Sequence, residues 1–447
     1  MTNAYLPILK LVWPLALGMV NNAVMQFVDR TYLSYDSLTA LEAVLPAGLL
    51  MWIFAGFFHS VVGYSSVFVG QAHGAGDAAG CRIAYRTALV LAVLSGILSL
   101  PLVPLGLAIF RWTAASPEVM AMESSYFTVM TGGSVFLYLQ MAAAAFFTGC
   151  GRTRIVFWVN LLGNALNVAL DPLFIFTFDL GIAGAASATV LSTAVQTAVL
   201  VFIACRERPA FPAGTPVARV WEKLCGILRF GVPSGFCTVL NLLSFTVFVF
   251  VTGGVGELEL AVSNACFTVN YLLFAPMEGF ALGASTLVAQ AIGRGDPDGA
   301  VRDARRTMIL GLAFVSVLSA LSIVFAHPVL SLFASRAGAS TAQFHALGFT
   351  LLLLLAAWQV FDAAEIILCG ALKGAGDTRF VMLWTLLSAF ALWLPLVFVV
   401  RACHNTMPAL WLTMVVDVVV RCIGTYVRWR RGAWRKISLC PPATSRT

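Results

Sequence analysis

GQAHGAGDAAGCRIAYR, residues 70–86, returns 219 positions later as AQAIGRGDPDGAVRDAR, residues 289–305. Gln71, Gly74, Gly76, Asp77 and Arg86 fall on Gln290, Gly293, Gly295, Asp296 and Arg305. The same offset places Pro14 on Pro233 and Asn22 on Asn241, so the register holds over a long distance without a gap. Later in each copy GCGRTR (149–154) matches GAGDTR (374–379) at an offset of 225, which implies a few inserted residues. The chain is a tandem duplication, and its polar, glycine-rich pieces punctuate long apolar runs.

Those runs dominate the composition. Of 447 residues, 60% are hydrophobic and 11% charged, with mean hydropathy +0.91. A water-soluble globule carries about 25% charged residues, so the chain is expected to be an integral membrane protein. The alternating ten-residue segments of a membrane barrel are absent. Breaking the sequence at charged and turn-forming stretches leaves twelve runs, at 6–33, 40–71, 84–110, 120–149, 155–178, 182–205, 224–252, 258–291, 307–334, 342–370, 380–400 and 407–427. Each reaches the length of about 20 residues that a bilayer span needs. The first is too long for a signal peptide and lacks a small-residue cleavage motif, so it is expected to be retained.

The expected fold class is an all-α integral membrane protein with twelve transmembrane helices in two pseudo-symmetric six-helix bundles. Residues 1–205 would form an N-lobe, 206–223 a cytoplasmic linker, 224–436 a C-lobe and 437–447 a cytoplasmic tail. Repeats in the same orientation are related by an axis along the membrane normal, with the binding cavity between or within the bundles. Lys and Arg collect at both termini and in the loops after even-numbered runs, while the opposite side has Arg30, Arg111, Arg336 and Arg401. The positive-inside rule then makes both termini cytoplasmic, which accounts for the net charge of +7 without nucleic acid. The ten cysteines show no CxxC or paired spacing, so neither a disulfide frame nor a metal site is expected.

Against this apolar background the polar residues of the spans stand out. At a rise of about 1.5 Å per residue, Asp29 lies about 28 Å from Lys10, and Asp171 and Thr189 each about 25 Å from Arg154 and Arg206. Asn167 is one turn from Asp171 on the same face. These four groups therefore fall at nearly one level in the outer half of the first bundle. Two carboxylates close together in a low dielectric share a proton or are joined by a cation; the plainer alternative is a helix-end cap at Asp29 and a helix break at Asp171. Pro14, fifteen residues before Asp29, makes the first helix bendable. In the second bundle Asp362 and Glu365 are an i, i+3 pair nearer mid-membrane, suited to a cationic cavity or a second proton site. Glu278 and His59 occupy equivalent repeat positions. Asp417 and Arg421, an i, i+4 pair, are expected to neutralise each other. No phosphate loop, HExxH, nucleophile elbow or paired-Cys signature is present, so an enzyme is not expected.

Taken in order, FVDRTYLS (27–34), GQAHGAGD (70–77), FFTGCGRTR (146–154), NVALDPLFIF (167–176), GIAGAASAT (181–189), RFGVPSG (229–235), AQAIGRGD (289–296) and VFDAAEIILCGALKGAGDTR (360–379) resemble the multidrug and toxic compound extrusion (MATE) family over nearly the whole chain. The resemblance implies a V-shaped pair of six-helix lobes and export of drugs or metabolites driven by inward H+ or Na+. By motif position Asp29, Asn167, Asp171 and Thr189 match the family's N-lobe cation site, Pro14 its bend-forming proline, and Asp362 a C-lobe acid of one bacterial branch. Asn241 departs from that branch, which carries a glutamate there. The expected function is a secondary antiporter for amphipathic, cationic compounds, with no cofactor beyond the coupling H+ or Na+. It would act on a small-molecule substrate as a monomer in the lipid bilayer of the inner (plasma) membrane. The alternative is a flippase for lipid-linked oligosaccharide or a related lipid.

Overall fold

The computed structural model describes residues 4–113, 116–206, 217–334, 341–437 and 439. Among these residues all regular structure is helical. Apolar segments of this length suit helices, because in lipid a helix satisfies its own backbone donors and acceptors. The first copy runs α1 (Leu6–Asp36), α2 (Leu38–Gly63), α3 (Ser65–Gly74), α4 (Ala78–Ser99), α5 (Leu102–Thr113), α6 (Pro117–Gly132), α7 (Ser134–Gly149), α8 (Thr153–Pro172) and α9 (Gly181–Arg206). The second runs α10 (Val217–Gly253), α11 (Glu257–Gly293), α12 (Pro297–Val324), α13 (Ala326–Ala334), α14 (Thr341–Gly374), α15 (Thr378–Leu386), α16 (Leu394–Cys403) and α17 (Met407–Arg430).

Eleven stretches of described helix are long and apolar enough to cross a bilayer, and the pair α6 and α7, bent by 43°, makes a twelfth. Several of the twelve runs are interrupted for local reasons. The 84–110 run breaks between α4 and α5 at Pro101, which has no backbone N–H to continue the ladder. Wider π turns occupy Leu173–Thr177, just after Pro172, and Leu387–Trp393, just before Pro395. Such turns accommodate the backbone groups that a proline leaves unpaired.

The chain forms two compact units. Of the described residues, the first gathers those within Leu17–Val239 and Ala289–Asp296 together with Leu439; the second gathers those within Met1–Ala16, Leu240–Val288 and Pro297–Ile437. These units do not coincide with lobes cut at 205 and 224. Helix α1 passes from the second unit to the first between Ala16 and Leu17, and α10 passes the other way between Val239 and Leu240. Linker residues 207–216 and tail residues 438 and 440–447 lie outside the described residues.

Glycine packing explains the exchange. In the second unit α1 presses against α11 so closely that a Cβ on Gly279 would lie 2.4 Å from Ala16 N, and one on Gly283 would lie 2.6 Å from Val12 Cγ2. In the first unit α10 meets α2 in the same way: a Cβ on Gly231 or Gly235 would lie 2.9 Å from the carbonyl oxygen of Val61 or Phe57. Gly231 and Gly235 are the repeat mates of Val12 and Ala16, so the copies keep the contact while placing the glycines on opposite partners. The 70–77 and 289–296 pieces clasp each other reciprocally. A Cβ on Gly74 would lie 2.1 Å from Gln290 O, and one on Gly293 the same 2.1 Å from Gln71 O. This clasp holds Ala289–Asp296 in the first unit.

The first unit's core surrounds Phe68, Phe110, Phe127, Tyr138 and Phe147, where the Tyr138 hydroxyl pairs with Ser99 at 2.9 Å. The second unit's core contains Phe248, Trp393 and Trp411, and both indole N–H groups find hydroxyls, Thr413 at 3.2 Å and Ser263 at 3.1 Å. Large apolar side chains also cover the outside, among them Phe250 at 80% and Leu332 at 72% exposure. Apolar outside and hydrogen-bonded polar groups inside is the arrangement a bilayer imposes.

Candidate functional site

The first unit concentrates its polar side chains on one face of α8. Asn160, Asn164, Asn167 and Asp171 follow at spacings of four, three and four, which is one stripe of an α-helix. Neighbouring helices supply matching groups. Asn164 Nδ2 donates to Asn22 Oδ1 of α1 at 2.9 Å, and Gln140 Nε2 of α7 donates to Asn160 Oδ1 at 3.0 Å and to Gln196 Oε1 of α9 at 3.4 Å. Gly163 leaves room for Gln196, whose amide would be 2.0 Å from a Cβ there.

At the end of the stripe the four sequence candidates come together. Asn167 and Asp171 are fully buried. Asn167 Nδ2 donates to Asp171 Oδ1 at 3.3 Å and to Thr189 Oγ1 of α9 at 3.4 Å. Thr189 in turn donates to Ala185 O at 3.0 Å, fixing its rotamer. Asp29 arrives from α1, half-buried, with its carboxyl group within hydrogen-bonding reach of that of Asp171. Three oxygens, Asp29 Oδ1, Asn167 Oδ1 and Asp171 Oδ2, are buried without a hydrogen-bond donor among the described residues. A buried acceptor left unpaired costs about 1–3 kcal/mol, more for a charged group. Carboxylate and amide oxygens grouped in this way can hold a proton or a hard cation.

Two further residues complete the surroundings. Tyr126, half-buried on α6, stands close enough to feel the charge of both carboxyls. Nothing in the sequence points to it, since tyrosine in an apolar span reads as packing and its proximity is set by the fold. Arg30 is exposed, yet its charge also reaches Asp29.

The second unit holds the other candidates differently. Asp362 and Glu365 are both buried on α14. Arg421 of α17 donates to Glu365 Oε1 at 3.1 Å and lies 3.9 Å from Asp417 Oδ2. The expected mutual neutralisation of Asp417 and Arg421 is therefore divided: Arg421 engages Glu365 more closely, and Asp417 also accepts from Ser388. The Cys369 thiol donates to the same Glu365 oxygen at 3.1 Å. Asp362 lies in the field of Glu365, Arg421, Glu278 and Asp417, and its Oδ2 has no donor among the described residues. Glu278, on α11, is exposed and within the field of Lys373 and Glu365. Asn241, on α10, is half-buried, with its carbonyl accepting from Ser244 at 3.0 Å. His59 packs edge-on against Trp52 at 5.9 Å, as a helix contact does. Pro14 sits within an unbroken α1, two residues before the helix passes from one unit to the other.

Known proteins match this chain along most of its length. The family model MatE matches residues 14–173 and 233–399, one segment in each copy. A probable multidrug resistance protein NorM of Rhizobium meliloti is 27% identical over 365 residues, covering 80% of this chain and 77% of that protein. Another NorM, from Thermotoga maritima, is 25% identical over 435 residues, covering 94% and 92%. A solved multidrug resistance MATE family transporter of the MOP superfamily, in an outward-facing conformation, shares the fold with a TM-score of 0.86 at 21% identity, covering 96% of each chain. With a segment of each copy matched, the chain belongs to the MatE family of multi-pass membrane transporters.

Proposed function

We propose that this protein is a secondary antiporter that exports amphipathic, cationic organic compounds in exchange for inward H+ or Na+. The observation that carries the proposal is the cluster of unpaired buried oxygens on Asp29, Asn167 and Asp171, with Thr189 as the fourth member. The multidrug resistance names of the relatives support the substrate class, as do the acids of the second unit: Asp362, Glu365 and Glu278 suit a cation better than an anion. A pyrophosphate-bearing lipid would need unengaged buried cations, and Arg421 is held by Glu365 and Asp417.

In this mechanism an ion entering from outside joins or protonates the Asp29–Asp171 pair. An uncompensated charge at membrane depth costs about 2.5–3.5 kcal/mol on the mildest scale, so neutralisation favours a state in which the site is closed. Helix α1 bends at Pro14 as Asp29 moves, and the substrate leaves. The ion drives export only to the extent that it binds the two states unequally. The protein would act as a monomer in the plasma (inner) membrane with both termini cytoplasmic, as the distribution of basic residues favours.

Efflux of a fluorescent organic cation from energised cells tests the proposal, under a pH gradient alone and a Na+ gradient alone. Wild type should respond to one gradient, thereby naming the ion, and Asp29→Asn should lose that response. Normal efflux by Asp29→Asn would remove the first-unit site from the mechanism.

A further inference from the structure

His73, Cys81 and Cys150 are separated by up to 77 positions in sequence, and nothing in their spacing joins them. The fold of the first unit brings them to one point: the His73 ring nitrogen and the two Sγ atoms all lie within 4.8 Å of one another. His73 stands in the last turn of α3, Cys81 in the first turn of α4, and Cys150 at the C-terminal cap of α7. We propose that these three side chains bind one Zn2+ or a similar d10 cation, with water as the fourth ligand, in a site separate from the Asp29–Asp171 cluster.

The chemistry of the donors points to this class of ion. Two sulfurs and an imidazole suit Zn2+, whereas the hard alkali and alkaline-earth ions take oxygens. In a tetrahedral site with bonds of about 2.3 Å to sulfur and about 2.0 Å to nitrogen, neighbouring ligand atoms are about 3.5–3.8 Å apart. The observed group needs to contract by about an ångström, which side-chain rotation supplies. His73 is exposed, so its ring can turn and solvent can reach the fourth position. Cys81 is buried, with its thiol donating to Val69 O at 3.6 Å and lying within 4.8 Å of the Cys150 sulfur. Asp77 and Lys223 are the charged groups acting on Cys81. Asp77 is anchored by its cap to Gly80 N at 2.8 Å, and the Lys223 ammonium rests over the Phe68 ring at 5.2 Å. Two thiolates and a neutral imidazole balance a divalent charge, and the neighbouring Asp77 and Lys223 carry opposite charges.

The backbone beneath the ligands is fixed. Gly74, next to His73, is pressed against Gln290, and Gly149, next to Cys150, against Ser66 O, which would lie 2.7 Å from a Cβ. Gln290 Nε2 also donates to Gly149 O at 2.8 Å. The metal would therefore staple the ends of α3, α4 and α7 onto a rigid base.

The test uses purified full-length protein in detergent with a non-thiol reductant, titrated with Zn2+ and with Co2+. Wild type should bind one Zn2+ per chain and show the visible bands of tetrahedral Co2+ with a near-ultraviolet thiolate band. A variant with every cysteine except Cys81 and Cys150 replaced by serine should do the same. His73→Ala and Cys150→Ser should weaken binding at least tenfold and lose the thiolate intensity, with helical circular dichroism unchanged. Absence of stoichiometric binding to wild type, or equal binding by Cys150→Ser, would overturn the assignment. Transport is not part of the readout, so the result is independent of the antiport mechanism.

Discussion

Replacing Gly279 by alanine tests the packing that holds the start of α1. The new Cβ would lie 2.4 Å from Ala16 N and 2.5 Å from its Cα. Ordinary carbon contacts begin near 3.4 Å, so α1 must retreat by about 1 Å or α11 must bend. The atoms in the way are backbone, which no rotamer change can move. Overpacking of this kind costs about 1–3 kcal/mol. A unit of about 200 residues loses about 2–4 °C of melting temperature per kcal/mol, so the expected fall is about 2–12 °C. The matched control is Gly18→Ala on α1 itself, where a Cβ meets nothing within 4 Å. That change should be neutral or stabilising by up to about 1 kcal/mol, from helix propensity. Thermal unfolding of both variants in detergent, followed by intrinsic fluorescence, gives the comparison. Equal melting of Gly279→Ala and wild type would show that α1 does not rest on α11 as described.

Arg421→Met should destabilise the protein by about 3–5 kcal/mol, because it leaves Glu365 and Asp417 buried without their counter-ion; thermal unfolding measures this, and Arg421→Lys should recover part of the loss. Gln290→Ala should cost about 1–3 kcal/mol in the same assay, since it deprives the Gly149 carbonyl of its buried donor.

The sequence contained the spans, the duplication and the four members of the Asp29 cluster, for physical reasons. Bilayer thickness fixes the length of an apolar run, and a carboxylate among twenty apolar residues is conspicuous. Asn167 and Asp171 could be placed on one face because helical spacing is local. Their meeting with Asp29 and Thr189 needed only three helices to bring similar depths together. What the sequence concealed depends on which helix packs on which. The passage of α1 and α10 between units follows from Gly279, Gly283, Gly231 and Gly235, but a glycine in an apolar run does not reveal the backbone pressed against it. The nearness of Tyr126 to the two carboxyls is hidden for the same reason. Arg421 was paired with Asp417 from its i, i+4 spacing, while its closer partner, Glu365, lies on another helix. His73, Cys81 and Cys150 belong to three helix ends that only the tertiary fold brings together.

The central claim is that the Asp29–Asp171 cluster couples ion entry to export. It is tested most directly by separating coupling from transport in proteoliposomes containing wild type, Asp171→Asn or Asp362→Asn. Gradient-driven accumulation of an organic cation would be compared with its downhill exchange when no ion gradient is present. The account predicts that Asp171→Asn abolishes gradient-driven accumulation yet continues downhill exchange, because the cavity survives while the ion loses its site. Full gradient-driven accumulation by Asp171→Asn, with the loss appearing in Asp362→Asn instead, would contradict it and move the coupling site to the second unit.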